Sequence, residues 1–356
     1  MVTRSRKVSL RNSLPLQLKR RLALVAMGVW LLGNTSIIHA QPLERFEFRE
    51  PHLGTIVTLT LYASDQTVAN DSARAAFARI EELNHILSDY IPDSEVMRLC
   101  RTAGTGQAVP VSQELFDVLA RSIEISVATD GAFDVSISPV IKLWRGARRI
   151  RQLPDEKQLS AARELVGYRN IVLDVRQRTV ELRKKGMLLD FGGIAKGYIA
   201  EQARATLLGR GLRRTLVAIA GDIAAGDPPP DRNEWRIGVA PLEKPNGEPS
   251  RYLKLVNSCI STSGDAFQYV EIGGVRYSHI VDPKTGLGLT RRSSVTVVAP
   301  PGSSADGLAT AISILGVERG LKLVEQFKGT AALIVQAEDM GVTVRESPGF
   351  ARFVIP

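Results

Sequence analysis

The stretch Ser303-Ser304-Ala305-Asp306-Gly307-Leu308-Ala309-Thr310-Ala311 places a carboxylate and a hydroxyl at i and i+4 within a run rich in helix formers. Residues so spaced share one helical face, so Asp306 and Thr310 aim two oxygen ligands at one point. That pairing suits a hard cation such as Mg2+. Ser303 and Ser304 are the expected N-caps of a helix over 305–315. By itself the pair also has a plainer reading, an Asp favoured by the helix dipole and a Thr bonded back to the preceding turn.

Outward from this helix the pattern mixes strands and helices. Strand-like runs at 216–219, 235–239, 258–261, 267–272, 275–280, 295–298 and 331–335 make the C-terminal half strand-rich, and a second helix is expected over 317–326. In the N-terminal half, 46–62 alternates as two strands around a break at 51–54. Helices are expected over 70–87, capped by Asn70 or Asp71, over 111–128 and over 155–166. The basic segment 145–154 reads as an exposed excursion. Strands at 170–174 and 179–183 precede a strand-turn-helix over 187–208. Without βαβ regularity or repeats, the class is α+β with a mixed sheet.

Residues 1–40 read as a signal peptide, with a basic start, an apolar run from Leu22 to Leu32 and a small-residue exit at Ala40-Gln41. The apolar run is shorter than the ~20 residues of a bilayer span. No Cys follows it to accept a lipid, and Arg20-Arg21 is only a partial twin-arginine signal. The segment holds seven basic and no acidic residues, so its removal takes the net charge from +9 to +2. That balance gives no basis for nucleic-acid binding, and Lys142, Arg145, Arg148, Arg149 and Arg151 read as a solvated surface. Cys100 and Cys259 are too few for a cysteine metal site and allow at most one disulfide. Residues 41–356 are read as one domain.

Four further motifs hold polar chemistry. Asp190-Phe191-Gly192-Gly193 sets a carboxylate and two glycines ahead of a helix, where bare amides and a carbonyl can meet a phosphate or a metal. It is neither a Walker loop nor a dinucleotide fingerprint. His279 ends a strand before the turn Asp282-Pro283-Lys284-Thr285-Gly286, a position suited to a general base, while Asp282 and Thr285 read as the turn's own bonding residues. Gly131-Ala132-Phe133-Asp134 offers a ring to stack and a carboxylate to accept. Thr262-Ser263-Gly264-Asp265 reads as a polar turn. Each has a structural alternative: a tight turn, a backbone-bonded His, a core Phe and a capping Asp.

In this order and spacing, these motifs resemble the FAD:protein FMN transferase (ApbE-like) family over nearly the whole of 41–356. The resemblance also covers Leu53-Gly54-Thr55, Leu87-Ser88-Asp89-Tyr90, Pro139 with Trp144, Ile194-Ala195-Lys196-Gly197-Tyr198 and Gly221-Asp222-Ile223. It implies a T-fold-related catalytic unit that binds FAD as substrate with Mg2+, cleaves its pyrophosphate, releases AMP and joins FMN through a phosphoester to a Thr or Ser of an acceptor flavoprotein. By the same resemblance Leu53, Tyr90, Ala132, Phe133, Asp134, Asp190, Lys196 and Ile280 line the FAD site. Gly193, through its carbonyl, Asp306 and Thr310 hold the metal. His279 is the candidate base for the acceptor hydroxyl, ahead of Asp306, because a metal-bound carboxylate is a weak base.

Three positions depart from the family pattern. Leu53 stands where Met is common, Ala220 where Gly is usual, and Gly307 where Ala is usual. Gly307 lowers helix propensity by about 1 kcal/mol beside the expected ligand. The signal peptide implies export to the periplasm, and the resemblance implies an acceptor in a membrane redox complex, with peripheral association at the inner membrane as the matching expectation. The alternatives are an FAD pyrophosphatase, in which water replaces the acceptor, and a non-catalytic flavin carrier, which needs neither metal pair nor base.

Overall fold

Antiparallel pairing runs through an eight-stranded sheet in the order β1-β2-β6-β7-β10-β13-β14-β15. Its strands are β1 (Glu44–His52), β2 (Thr55–Ala63), β6 (Thr215–Ile219), β7 (Asp222–Ala225), β10 (Ser258–Gly264), β13 (Ser293–Ala299), β14 (Ala331–Glu338) and β15 (Gly341–Glu346). This is a computed structural model, and it describes residues 42–244, 246–266, 268–339 and 341–356. The expected signal peptide lies outside the described residues.

One face of the sheet is covered by helices α1 (Gln66–Leu87), α6 (Ala195–Gly209) and α7 (Gly302–Leu315). Val57, Leu59, Val217, Ile219, Val295 and Val297 are buried beneath them. The opposite face packs Ile260, Val298 and Leu333 against Trp235, Leu253 and Phe350, brought there largely by the two-stranded pair β8 (Trp235–Val239) and β9 (Arg251–Leu255). Covered on both sides, β13 is buried at every residue. This accounts for its unbroken apolar and small-residue run in place of an alternating one.

Outside that core, β3 (Val109–Pro110), β5 (Thr179–Leu182) and β4 (Ile171–Asp174) form a small sheet, and β11 (Tyr269–Ile272) pairs with β12 (Val275–Ser278). The remaining α-helices among the described residues are α2 (Glu95–Cys100), α3 (Gln113–Ala128), α4 (Ser138–Ile150), α5 (Glu156–Glu164) and α8 (Val317–Val324). The class is α+β, as the mixed pattern implies.

Several expectations are corrected. The basic segment 145–154 is not an excursion through most of its length, because α4 continues to Ile150. Val140, Trp144 and Ala147 supply a narrow buried stripe at helical spacing, which the surrounding arginines obscure in the sequence. Helix α1 begins earlier than expected, capped by Asp65, whose carboxylate accepts from Val68 N at 2.9 Å. The strand expected before Asp190 reduces to one bridge, between Ile137 and Leu188. Thr262-Ser263-Gly264 continues β10 rather than turning. Cys100 and Cys259 are free, buried thiols, with burial raising their pKa values to about 11 and about 12.

The β6–β7 hairpin turns through Ala220 and Gly221, with Ala220 at φ +52°. A Cβ there is strained, so Ala220→Gly is expected to stabilise the fold by about 1 kcal/mol. The check is a higher denaturation midpoint with an unchanged slope in urea.

Candidate active site

Helices α6 and α7 approach one another at Gly197 and Gly302. A Cβ on Gly197 would collide with the Gly302 carbonyl and lie 2.8 Å from Asp306 Cβ. The bare contact lets Gly197 N donate to Asp306 Oδ2 at 3.1 Å. The start of α7 also corrects the capping expectation. Pro301 is its N-cap residue, Gly302 N donates to Glu201 Oε2 of α6 at 2.9 Å, and Ser303 and Ser304 lie buried within the first turn. Gly307 packs toward α3, where an added Cβ would stand 2.5 Å from Ile125 Cδ1. Close packing therefore accompanies the weaker helix propensity.

Lys196 stands between two buried carboxylates. Its Nζ lies 3.3 Å from Asp222 Oδ2 and 3.9 Å from Asp306 Oδ2, and it donates to the Gly192 carbonyl at 3.2 Å. One ammonium facing two carboxylates leaves a net negative charge. Burial, and then Asp222, push the Asp306 carboxyl up to about 7 against the pull of Lys196. Burial disfavours the charged form of Lys196, yet Asp222 and Asp306 hold its ammonium above the usual range.

The oxygen donors fit a hard cation. Asp222 Oδ1 is buried without a hydrogen-bond partner. Gly193 backs directly onto Thr310, so an added Cβ would lie 2.9 Å from Thr310 Oγ1 and fill the space between them. Ser263 Oγ is 3.4 Å from the same hydroxyl. Among the described residues no group of three or more His, Cys, Asp or Glu side chains could hold a metal, so a cation here would draw on carbonyl and hydroxyl oxygens beside the carboxylates. Such a set suits Mg2+ better than zinc.

A second group surrounds Asp190. Gly192 N donates to its Oδ1 at 2.8 Å, and Arg145 Nη2 meets its Oδ2 at 2.7 Å. Arg145 Nη1 meets Asp89 Oδ2, also at 2.7 Å. The same guanidinium lies 4.4 Å from the centre of the Tyr90 ring. Tyr90 is 73% exposed, leaving the ring open to solvent.

His279 follows β12, which is tied down by a hydrogen bond from Trp144 Nε1 to the Ser278 carbonyl at 3.1 Å. Its Nδ1 lies 3.2 Å from the Gln268 carbonyl. A carbonyl only accepts, so the contact assigns the proton to Nδ1 and leaves Nε2 with a free lone pair. Burial lowers the imidazole pKa, and nearby Arg148 and Lys196 act in the same direction. These effects favour the neutral ring, against the Gln268 hydrogen bond, which favours the charged one.

The other expected site residues are placed as follows. Ala132 and Phe133 are buried, and both oxygens of Asp134 are taken: Oδ1 by Ser136 N and Oγ, Oδ2 by Tyr168 N. Ile280 is buried beside His279. Leu53 occupies the β1–β2 turn at φ +54°, a strained position for a branched side chain. The structure thus gathers Gly193, Lys196, Asp306 and Thr310 and links Tyr90 to Asp190. Asp222, Asp89 and Arg145 were not assigned roles from the sequence. Asp222 and Asp89 stand in motifs that carry the resemblance without an assigned role, and Arg145 stands in a basic run that reads as a solvated surface.

The raised Asp306 pKa fixes a sign. Without a cation, folding is favoured by protonation, so stability present below about pH 3.8 is lost as pH rises toward 7. Asp306→Asn, which keeps an acceptor for Gly197 N, should therefore melt higher than the unchanged chain at pH 8 and no higher below pH 3.8. Thermal melts in chelator check this, and added Mg2+ should raise the melting temperature of the unchanged chain more at pH 8 than at pH 6.

Comparison with known proteins gives one consistent result. Residues 53–334 match the model of the ApbE family. The FAD:protein FMN transferase of Haemophilus influenzae is 30% identical over 284 residues, covering 77% of this chain and 81% of that protein. The one from Treponema pallidum is 30% identical over 326 residues, covering 85% and 89%. Among solved structures, the apo flavinyl transferase ApbE of Pseudomonas stutzeri superposes with a TM-score of 0.77 at 30% identity, covering 89% of this chain and 98% of its own. A histidine-to-glycine variant of the Vibrio cholerae flavin transferase ApbE superposes with a TM-score of 0.76 at 29% identity, covering 87% and 99%. With the family model spanning most of the described sequence, and the sheet, helices and site in place, the chain belongs to the ApbE family.

Proposed function

We propose that this protein transfers FMN from FAD to a Thr or Ser hydroxyl of an acceptor flavoprotein, forming a phosphoester and releasing AMP. The observation that supports this reading is the meeting of Gly193 with Thr310 beside Lys196, Asp222 and Asp306. Family membership supports FAD as the substrate and a flavoprotein as the acceptor. Asp306, Thr310 and the Gly193 carbonyl would hold Mg2+, which when bound supplies positive charge to the pyrophosphate oxygens.

The chain's own residues account for the remaining chemistry. Lys196 adds a fixed positive charge at the same place. Nε2 of His279 accepts the proton of the acceptor hydroxyl as that oxygen bonds to the FMN phosphorus. The bond from that phosphorus to the bridging oxygen breaks, and AMP leaves with the electron pair. Alignment and charge neutralisation dominate such a transfer, which suits a site with one base and no protein nucleophile. Tyr90 offers an exposed ring for stacking, and Asp190 an oriented carboxylate for the flavin nucleotide.

The basic and apolar pattern of 1–40 supports export to the periplasm, where an acceptor in a membrane redox complex would be reached at the membrane surface. No helix among the described residues is long and apolar enough to cross a membrane.

Incubation of the protein with FAD, Mg2+ and periplasmic FMN-binding domains should add the mass of an FMN phosphoester to an acceptor. Asp306→Ala should lower labelling at least ~100-fold. FMN and AMP formed without labelling of any of several acceptors would instead identify a pyrophosphatase, and FAD bound but intact would identify a carrier. His279→Ala should slow labelling by about 100-fold or more. In the unchanged enzyme the rate should rise with pH along an acid limb centred below 6.5, the ordinary histidine value, and this limb should be absent in His279→Ala.

A further inference from the structure

Arg145 touches both the exposed Tyr90 ring and the Asp190 carboxylate. It lies on α4 directly after Trp144, whose indole is fully buried and bonded to the Ser278 carbonyl beside His279. The backbone that presents Arg145 is therefore fixed to the strand that presents the base. From there the guanidinium forks, with one nitrogen on Asp89 and the other on Asp190, each at 2.7 Å. Those carboxylates keep only 7% and 9% of their side chains exposed. Its guanidinium carbon lies over the Tyr90 ring, 4.4 Å from the ring centre.

A planar cation with several donors can satisfy all three contacts at once, whereas an ammonium is a single point that neither forks nor stacks. Asp89 and Asp190 also repel one another without a cation between them. The guanidinium holds them in place, and it supports the Tyr90 ring on one face while the rest of the ring stays open.

We propose that Arg145 is a positioning residue of the donor site, setting the Tyr90 ring and the Asp190 carboxylate in one fixed geometry for the flavin nucleotide. The proposal rests on the reading of this site as an FAD site. Arg145 takes no part in proton or phosphoryl transfer; its effect is on FAD affinity, exerted through Tyr90 and Asp190.

The test measures FAD affinity by flavin fluorescence on the whole protein, for the unchanged chain, Arg145→Lys, Tyr90→Ala and the double variant, with Arg149→Gln as an exposed control. Arg145→Lys is expected to weaken FAD binding about tenfold, with the melting temperature nearly unchanged. If Arg145 acts through Tyr90, the double variant should lose little more than Tyr90→Ala alone. Arg149→Gln should bind as the unchanged chain does. Should Arg145→Lys fail to fold, Arg145→Gln with Asp89→Asn removes the guanidinium and one carboxylate together, keeping the local charge, and is expected to show the same loss of affinity. Folded variants that bind FAD within about twofold of the unchanged chain overturn the role of Arg145, and strictly additive losses overturn its action through Tyr90. Failure of the unchanged chain to bind FAD overturns the reading of the site itself.

Discussion

The contact between Gly197 and Gly302 is the constraint on which the polar site depends. Two helices that meet without a Cβ on either residue can bring backbone to backbone, and this brings the N-terminal turn of α6 within reach of Asp306. Glu201 then caps the start of α7 across the same junction. Lys196 is presented one residue before the contact, Gly193 a turn earlier, and Thr310 one turn beyond Asp306. The site is thus assembled by how closely two helices approach, and the sheet below fixes each of them.

That closeness has an electrostatic cost. Asp222 and Asp306 are both buried with only one ammonium between them, and Asp222 retains an unpaired oxygen. A fold selected for stability alone would gain by replacing such a group with apolar side chains. Keeping it means that part of the folding energy is held as an unsatisfied demand for positive charge, which a cation bound beside Asp306 would meet.

Much of this was legible in the sequence, for reasons that can be stated residue by residue. The i, i+4 relation of Asp306 and Thr310 survives because helical geometry leaves it no freedom, and the strand patterns of 295–298 and 331–335 are strong because those strands lie deep in the core. The cap of α7 was not legible, since its carboxylate comes from a helix about a hundred residues earlier. Helix α4 was missed because three buried residues decide it among many charged ones. The roles of Asp222 and Arg145 depend on partners distant in sequence, which local spacing does not encode.

The two buried thiols bear on how the protein tolerates its surroundings. With pKa values near 11 and 12, Cys100 and Cys259 hold almost no thiolate at neutral pH, and neither sulfur is within a disulfide. The chain therefore has no covalent tie to lose and little reactive sulfur to oxidise. The fold is held together without a sulfur–sulfur bond, so a disulfide reductant has nothing in it to cut.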